Sequence, residues 1–151
     1  MHKTMTDPLP LQQILAGAIA ICEQKNVRFT KARQMIFELI VKAQVPVKAY
    51  DVLDSVKERD KSAKPPTVYR AIDFLMECGL IHKIHRLNAY VSCSHPSRHK
   101  ECYFLICSKC NGLTECCSKE IDTVITDTAA KAGFSLRNVS MEMTGICQHC
   151  C

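Results

Sequence analysis

Apolar residues in the first part of the chain recur at helical spacing. From Leu11 they follow one another at steps of three and four residues as far as Cys22, which predicts an amphipathic helix. A second helix is predicted after Thr30, whose hydroxyl can cap it, and ends before Pro46. A short third helix is predicted from Ala49 to Lys57. The predicted core residues of the last two helices are Met35, Ile36, Leu39, Ile40, Val52, Leu53 and Val56.

A fourth helix is bounded by residues that suit helix ends. Pro65 and Pro66 fit a first turn, where the missing N–H costs nothing, and Gly79 fits a left-handed cap. Its core stripe is predicted to be Val68, Ala71, Ile72 and Leu75.

The other faces of this helix carry Thr67, Tyr69 and Arg70. In a major groove, arginine can pair bidentately with guanine, and tyrosine can contact phosphate or base. The alternative is that Tyr69 and Arg70 pack against their own domain, and the helix alone does not decide between the two.

Two short β-type runs follow, over residues 80–84 and 89–92, with Asn88 in the turn between them. Helices followed by such a hairpin describe a winged helix-turn-helix, which typically binds DNA but also mediates protein contacts.

Charge and cysteine are distributed unequally over the 151 residues. Residues 1–92 contain 14 Lys and Arg against 9 Asp and Glu, whereas residues 93–151 contain 6 of each. Nine of the eleven cysteines lie in the second part. We therefore predict an α+β protein with a DNA-binding domain over 1–92, a hinge over 93–101 and a metal-binding domain over 102–151. An ordinary solvated surface is the alternative explanation of the charge.

Several classes of protein are disfavoured. No apolar run approaches the roughly 20 residues that span a bilayer. Residues 1–8 lack the apolar core of a secretory signal, which predicts a cytoplasmic protein. In such a chain, an odd number of cysteines favours metal thiolates over disulfides. We find no Ser-His-carboxylate motif or phosphate-binding glycine loop, so neither an enzyme nor a small organic substrate is predicted.

The sequence contains two Cys-x-x-Cys pairs with 36 residues between them. The first is Cys107 with Cys110, and the second is Cys147 with Cys150. Two such pairs predict one tetrahedral four-thiolate zinc site, although a single pair also occurs in redox proteins. The segment between them is predicted to hold a strand, a helix over residues 118–131 and a strand over residues 134–143.

A second group of possible ligands lies around the predicted hinge, and it comprises His82, Cys93, His95, His99, Cys102 and Glu115. Four of these could form a mixed nitrogen, sulfur and oxygen site that exchanges metal more readily than four thiolates. One thiolate with imidazoles favours zinc without excluding iron or cobalt. Each histidine alone is more typical of a surface position, so it is their concentration that carries the prediction.

The chain resembles the ferric uptake regulator (Fur) family, and most closely its zinc-sensing members. The resemblance rests on the two thiol pairs and on the stretches VRFTKAR at 27–33, AYDVL at 49–53, KPPTVYRAIDFL at 64–75, IHKI at 81–84 and AAKAGF at 129–134.

This resemblance implies a zinc-responsive repressor of zinc uptake genes, active as a zinc-loaded homodimer on double-stranded operator DNA. It implies a winged-helix domain, an α/β dimerisation domain and two zinc ions per chain. The implied structural ligands are the four paired cysteines, and the implied regulatory ligands are His82, Cys93, His99 and Glu115. The residues expected to face DNA are Tyr50, Thr67, Tyr69 and Arg70.

One departure from the family pattern keeps the regulatory set open. Between Cys93 and Cys107 the chain is one residue shorter than the zinc regulators, so His95 or Cys102 could replace His99. The alternatives are a family sensor of iron, manganese or peroxide, disfavoured because the His-His-Asp-His type stretch is absent, and a thiol-disulfide oxidoreductase.

Overall fold

The computed structural model describes residues 9–151, so the segment 1–8, on which the prediction about a secretory signal rests, lies outside the described part. The chain divides into two compact units, and the division falls after Cys93. No helix in the described residues is long and apolar enough to cross a membrane. Helices and small sheets confirm the predicted α+β class.

The first unit consists of four helices followed by a hairpin: α1 (Leu11–Gln24), α2 (Lys31–Ala43), α3 (Ala49–Arg59), α4 (Pro65–Glu77), β1 (Ile81–Ile84) and β2 (Ala89–Ser92). The hydroxyl of Thr30 accepts a hydrogen bond from the backbone N–H of Arg33 at 3.4 Å, as expected of a helix cap. Gly79 follows α4 with a φ of 73°, and Asn88 turns the hairpin with a φ of 46°. The winged helix-turn-helix prediction is confirmed.

The apolar core of this unit centres on α2 and α4, and its most buried members include Ile36, Ile40, Ile72 and Leu75. Complete burial of a side chain of this size stabilises a fold by about 1.5–3 kcal/mol. Phe37 is also buried, whereas the predicted core residues Met35 and Leu39 are only partly buried. The inward face of α2 is therefore rotated slightly toward Phe37.

A backbone bridge ties the segment before α3 to the hairpin. The N–H of Val47 donates to the carbonyl of Tyr90 at 2.9 Å, and the N–H of Tyr90 donates back at 2.7 Å. The bridge places the start of α3, which carries Tyr50, beside β2.

The second unit consists of a 3-10 helix, three strands and one helix: Pro96–Glu101, β3 (Cys102–Cys107), β4 (Leu113–Cys117), α5 (Lys119–Lys131) and β5 (Glu142–Gly145). The strand order is β4-β3-β5, with β4 antiparallel and β5 parallel to β3. A parallel pair needs a crossover, which contains α5 here. Ser118 caps α5 by accepting a hydrogen bond from the N–H of Ile121 at 3.3 Å.

The strand predicted over residues 134–143 is wrong for most of its length, because β5 begins only at Glu142. A strand forms where a neighbour can pair with it, and β3 offers partners to Glu142–Gly145 through Phe104–Cys107. Apolar residues before β5 are exposed or only partly buried. Phe134, for example, is 67% exposed.

Large apolar side chains remain exposed in the second unit, and none of the residues of α5 is fully buried. We call this set the apolar surface: Leu105, Val124, Phe134, Val139, Met143 and Ile146.

Candidate metal centre and nucleic-acid interface

The four paired cysteines converge on one point in the second unit. Each of their sulfur atoms lies within 4.8 Å of the others, and the Sγ atoms of Cys110 and Cys147 are 3.8 Å apart. A tetrahedral zinc ion with Zn–S bonds of about 2.3 Å spaces its sulfurs by about 3.8 Å. The geometry of the thiols therefore fits zinc.

Strand register brings the two Cys-x-x-Cys turns together. Because β3 and β5 are parallel, Cys107 lies beside Gly145, and the N–H of Ser108 donates to the Gly145 carbonyl at 2.8 Å. Each strand then enters its own thiol-bearing turn. Asn111 takes a φ of 56° in the first turn, a conformation that asparagine tolerates.

Backbone N–H groups point at the sulfur atoms. The N–H of Cys147 donates to Sγ of Cys107, and the N–H of Gly112 donates to Sγ of Cys110, both at 3.4 Å. Backbone hydrogen bonds, first from Cys147 and then from Cys110, lower the pKa of the Cys107 thiol to about 6. Hydrogen bonds among the crowded thiols, first with Cys147, raise the pKa of Cys150 to about 12.

These opposed shifts show that the cluster favours some thiolates but resists complete ionisation. A divalent cation offsets that repulsion, and its binding displaces the remaining protons. The donor set of four sulfurs suits zinc rather than magnesium or calcium, which prefer oxygen.

The residues of the predicted regulatory site lie on different elements of the two units. In the first unit, His82 lies on β1, and Cys93 follows β2 and is 8% exposed. In the second unit, His99 lies in the 3-10 helix, and Glu115 lies on β4. One carboxylate oxygen of Glu115 accepts a hydrogen bond from the N–H of Ser94 at 3.0 Å.

Within the second unit, the carboxylate of Glu115 lies with His95 and Cys117. Their potential ligand atoms are all within 4.8 Å of one another, and Sγ of Cys117 is 3.6 Å from Nδ1 of His95. The structure does not place His99 in this three-residue group. The sequence predicts His95 only as an alternative to His99 and gives no role to Cys117.

Cys102, which the sequence offers as a replacement for His99, forms a disulfide with Cys117. The expectation of thiolates in place of disulfides therefore does not hold for this pair. The two residues are directly opposite on β3 and β4, with Cα atoms 4.0 Å apart. In this state the sulfur of Cys102 is not available as a thiolate ligand.

The predicted DNA-facing residues lie at the surface of the first unit. Tyr50 is 55% exposed and Tyr69 is 47% exposed, and Thr67 and Arg70 are also exposed. The alternative that Tyr69 and Arg70 are packed into their own domain is therefore wrong. Their exposure leaves the side chains available to a groove of DNA.

A concavity adjoins this surface, and its lining includes Lys48, Tyr50, Tyr69, Lys83, Asn88 and Tyr90. Lys48 Nζ lies 5.8 Å from the centre of the Tyr50 ring. Two lysines beside exposed tyrosines suit a phosphate backbone. The sequence did not predict Lys48 and Lys83, because the Val47–Tyr90 bridge that brings the start of α3 next to the hairpin is a long-range pairing.

Comparisons with known proteins agree with this combination of features. The ferric uptake regulator family matches residues 24–144. The zinc uptake regulation protein of Escherichia coli (strain K12) is 40% identical over 153 residues, which cover 99% of this chain and 85% of that protein.

Two solved structures are similar over nearly the whole chain. A zinc uptake regulator complexed with zinc and DNA gives a TM-score of 0.84 at 39% identity, covering 93% of this chain and 94% of that one. Holo XcZur gives a TM-score of 0.83 at 36% identity, covering 93% and 98%. The chain belongs to the ferric uptake regulator family.

Proposed function

We propose that the protein is a zinc-responsive repressor of zinc uptake genes that binds operator DNA as a zinc-loaded homodimer. One observation carries the proposal: a zinc-fitting thiol cluster and an exposed Tyr–Arg helix face occur in one chain. The similarity to a zinc uptake regulator complexed with zinc and DNA supports it.

The first unit supplies the proposed DNA contacts. We assign Arg70 to a bidentate contact with a base, and Tyr50, Thr67 and Tyr69 to bases or phosphates nearby. The net positive charge of residues 1–92 favours association with DNA and makes it dependent on salt.

We assign two zinc ions to each chain. Cys107, Cys110, Cys147 and Cys150 form the structural site, which stabilises the second unit. His82, Cys93, His99 and Glu115 form the regulatory site, with His95 as the alternative to His99. The support for the regulatory set is the family resemblance, the buried position of Cys93 and the burial of a ring nitrogen in both His82 and His99.

Regulation requires only that zinc prefers the DNA-binding conformation of the dimer. Each tenfold difference in zinc affinity between the DNA-binding conformation and the other conformation shifts the equilibrium between them by about 1.4 kcal/mol. A regulatory site with a single thiolate exchanges metal more readily than the four-thiolate site, as a sensor requires.

The apolar surface of the second unit supports the homodimer. Six large apolar side chains of the second unit are exposed, and two of them, Leu105 and Met143, lie side by side on β3 and β5. Exposed apolar side chains that group together are typical of protein interfaces. We place the action of the dimer in the cytoplasm, and we assign it no catalytic role.

Metal selectivity tests the proposed function against its rivals. A duplex is first selected from a random pool by the zinc-loaded protein, and its binding is then measured by fluorescence anisotropy with zinc, iron(II) or manganese(II). We expect zinc to restore binding at the lowest free concentration. Tighter activation by iron or manganese would instead identify a sensor of those metals.

The variant Cys93→Ser tests the regulatory site, and Cys151→Ser is its matched control. We expect Cys93→Ser to lose the zinc response while retaining the structural zinc, and Cys151→Ser to behave as the parent protein. An unchanged zinc response in Cys93→Ser would remove Cys93 from the site.

Freely cycling dithiols with no bound zinc under reducing conditions would favour an oxidoreductase.

A further inference from the structure

Three potential metal ligands of the second unit form a group that the proposed function does not use as a set. They are His95, Glu115 and Cys117, with all ligand atoms within 4.8 Å. Sγ of Cys117 lies 3.6 Å from Nδ1 of His95. A tetrahedral zinc ion with Zn–S of about 2.3 Å and Zn–N of about 2.05 Å separates these two atoms by about 3.6 Å.

A backbone hydrogen bond orients the carboxylate of Glu115. The N–H of Ser94 donates to Oε2 of Glu115 at 3.0 Å. His95 is exposed, whereas Glu115 and Cys117 are partly buried. Small ions and small thiols can therefore reach the group.

The sulfur of Cys117 is shared between this group and the disulfide with Cys102. Only a thiolate is a good zinc ligand, so the disulfide and the metal compete for the same atom. The preceding residue, Cys116, points to the opposite face of β4 because side chains alternate along a strand. It is opposite Tyr103 and is a free thiol.

We propose that His95, Glu115 and Cys117 bind a zinc ion when the Cys102–Cys117 disulfide is reduced and release it when the disulfide re-forms. Three protein ligands leave the fourth position of a tetrahedral zinc ion to water, whereas closed structural sites fill all four positions with protein atoms.

The redox step is balanced by a small-molecule thiol. One thiolate attacks the disulfide to give a mixed disulfide, and a second thiolate displaces the protein sulfur, leaving an oxidised small disulfide. Both protein sulfurs take up protons, and zinc displaces the proton of Cys117. In reverse, glutathione disulfide accepts the two electrons and leaves as two glutathione molecules, while Cys102 loses its proton and Cys117 releases its zinc ion as the disulfide forms.

The test uses the full-length Cys93→Ser protein, because Glu115 also belongs to the proposed regulatory set and that set is disabled in this background. The four-thiolate site is filled with zinc, the protein is reduced with a small thiol, and cobalt(II) is titrated. We expect one cobalt ion per chain with a thiolate-to-cobalt charge-transfer band. Glutathione disulfide is expected to abolish the band, and fresh thiol to restore it.

Neighbouring variants isolate the ligand. Cys117→Ser and His95→Ala are expected to lose the band or weaken cobalt binding, whereas Cys116→Ser keeps it. Cys102→Ser is expected to keep the band even after glutathione disulfide. A colorimetric chelator follows zinc release, which separates this signal from exchange at the four-thiolate site, and circular dichroism confirms folding.

Equal cobalt binding by Cys93→Ser and by its Cys117→Ser derivative overturns the proposal, and so does equal binding before and after oxidation. These outcomes do not involve DNA. Failure of this site is therefore distinct from failure of the proposed repressor function.

Discussion

Replacing Arg70 by alanine is expected to weaken operator binding with almost no effect on folding. Arg70 is exposed and lies in the second turn of α4. Substitutions at exposed positions of this kind usually change the free energy of unfolding by less than about 0.5 kcal/mol. Loss of a bidentate base contact costs about 1–3 kcal/mol, which is roughly 5- to 150-fold in affinity.

A homodimer presents two copies of α4, so the two losses combine. The free energy of operator binding then weakens by about 2–6 kcal/mol, and even the smaller value lowers the affinity about 30-fold. Fluorescence anisotropy with the selected duplex measures the affinity of Arg70→Ala. Arg137→Ala is the matched control, since it removes the same charge from an exposed position in the second unit.

Base readout also predicts a change in specificity. Duplexes with one substituted base pair are expected to bind the parent protein less well, and Arg70→Ala should lose this discrimination at one position. If Arg70→Ala binds as tightly as Arg137→Ala, the assignment of Arg70 as a base contact is refuted.

Three further substitutions probe the two units. Leu75→Ala, at a position with no exposed surface, is expected to lower the free energy of unfolding by about 2–5 kcal/mol in urea denaturation, with the exposed Glu77→Ala as control. Cys150→Ser is expected to lose the tightly bound zinc in metal analysis, whereas Cys151→Ser keeps it; retention by both would contradict the four-thiolate site. Phe134→Glu places a charge on the apolar surface and is expected to produce monomers in sedimentation velocity, whereas Val45→Glu in the first unit leaves the dimer intact. A dimer that persists in Phe134→Glu would show that Phe134 lies outside the interface.

Local signals made most of the helices predictable from the sequence. Thr30 and Ser118 each accept a hydrogen bond from the backbone N–H three residues later, and Gly79 adopts the left-handed conformation expected after α4. Each of these interactions lies within a few residues of the chain. The periodicity of the apolar residues then indicates which face of each helix is buried.

Long-range pairing accounts for what the sequence did not predict. Only the end of the strand predicted over residues 134–143 forms β5, because only that end lies beside β3. The Cys102–Cys117 disulfide depends on the register of the hairpin between β3 and β4. In that register Ile106 lies opposite Leu113 and Cys102 lies opposite Cys117, a pairing across the sheet that no local signal in the sequence specifies.

In the proposed function, exchangeable zinc controls DNA binding. The most direct test follows anisotropy of the selected duplex while free zinc is lowered with a buffered chelator that leaves the four-thiolate zinc bound. Metal analysis and sedimentation confirm the structural zinc and the dimer at each step. We expect DNA to be released as the exchangeable zinc leaves and to be bound again when zinc is returned. Undiminished DNA binding by dimers that retain only structural zinc would contradict it.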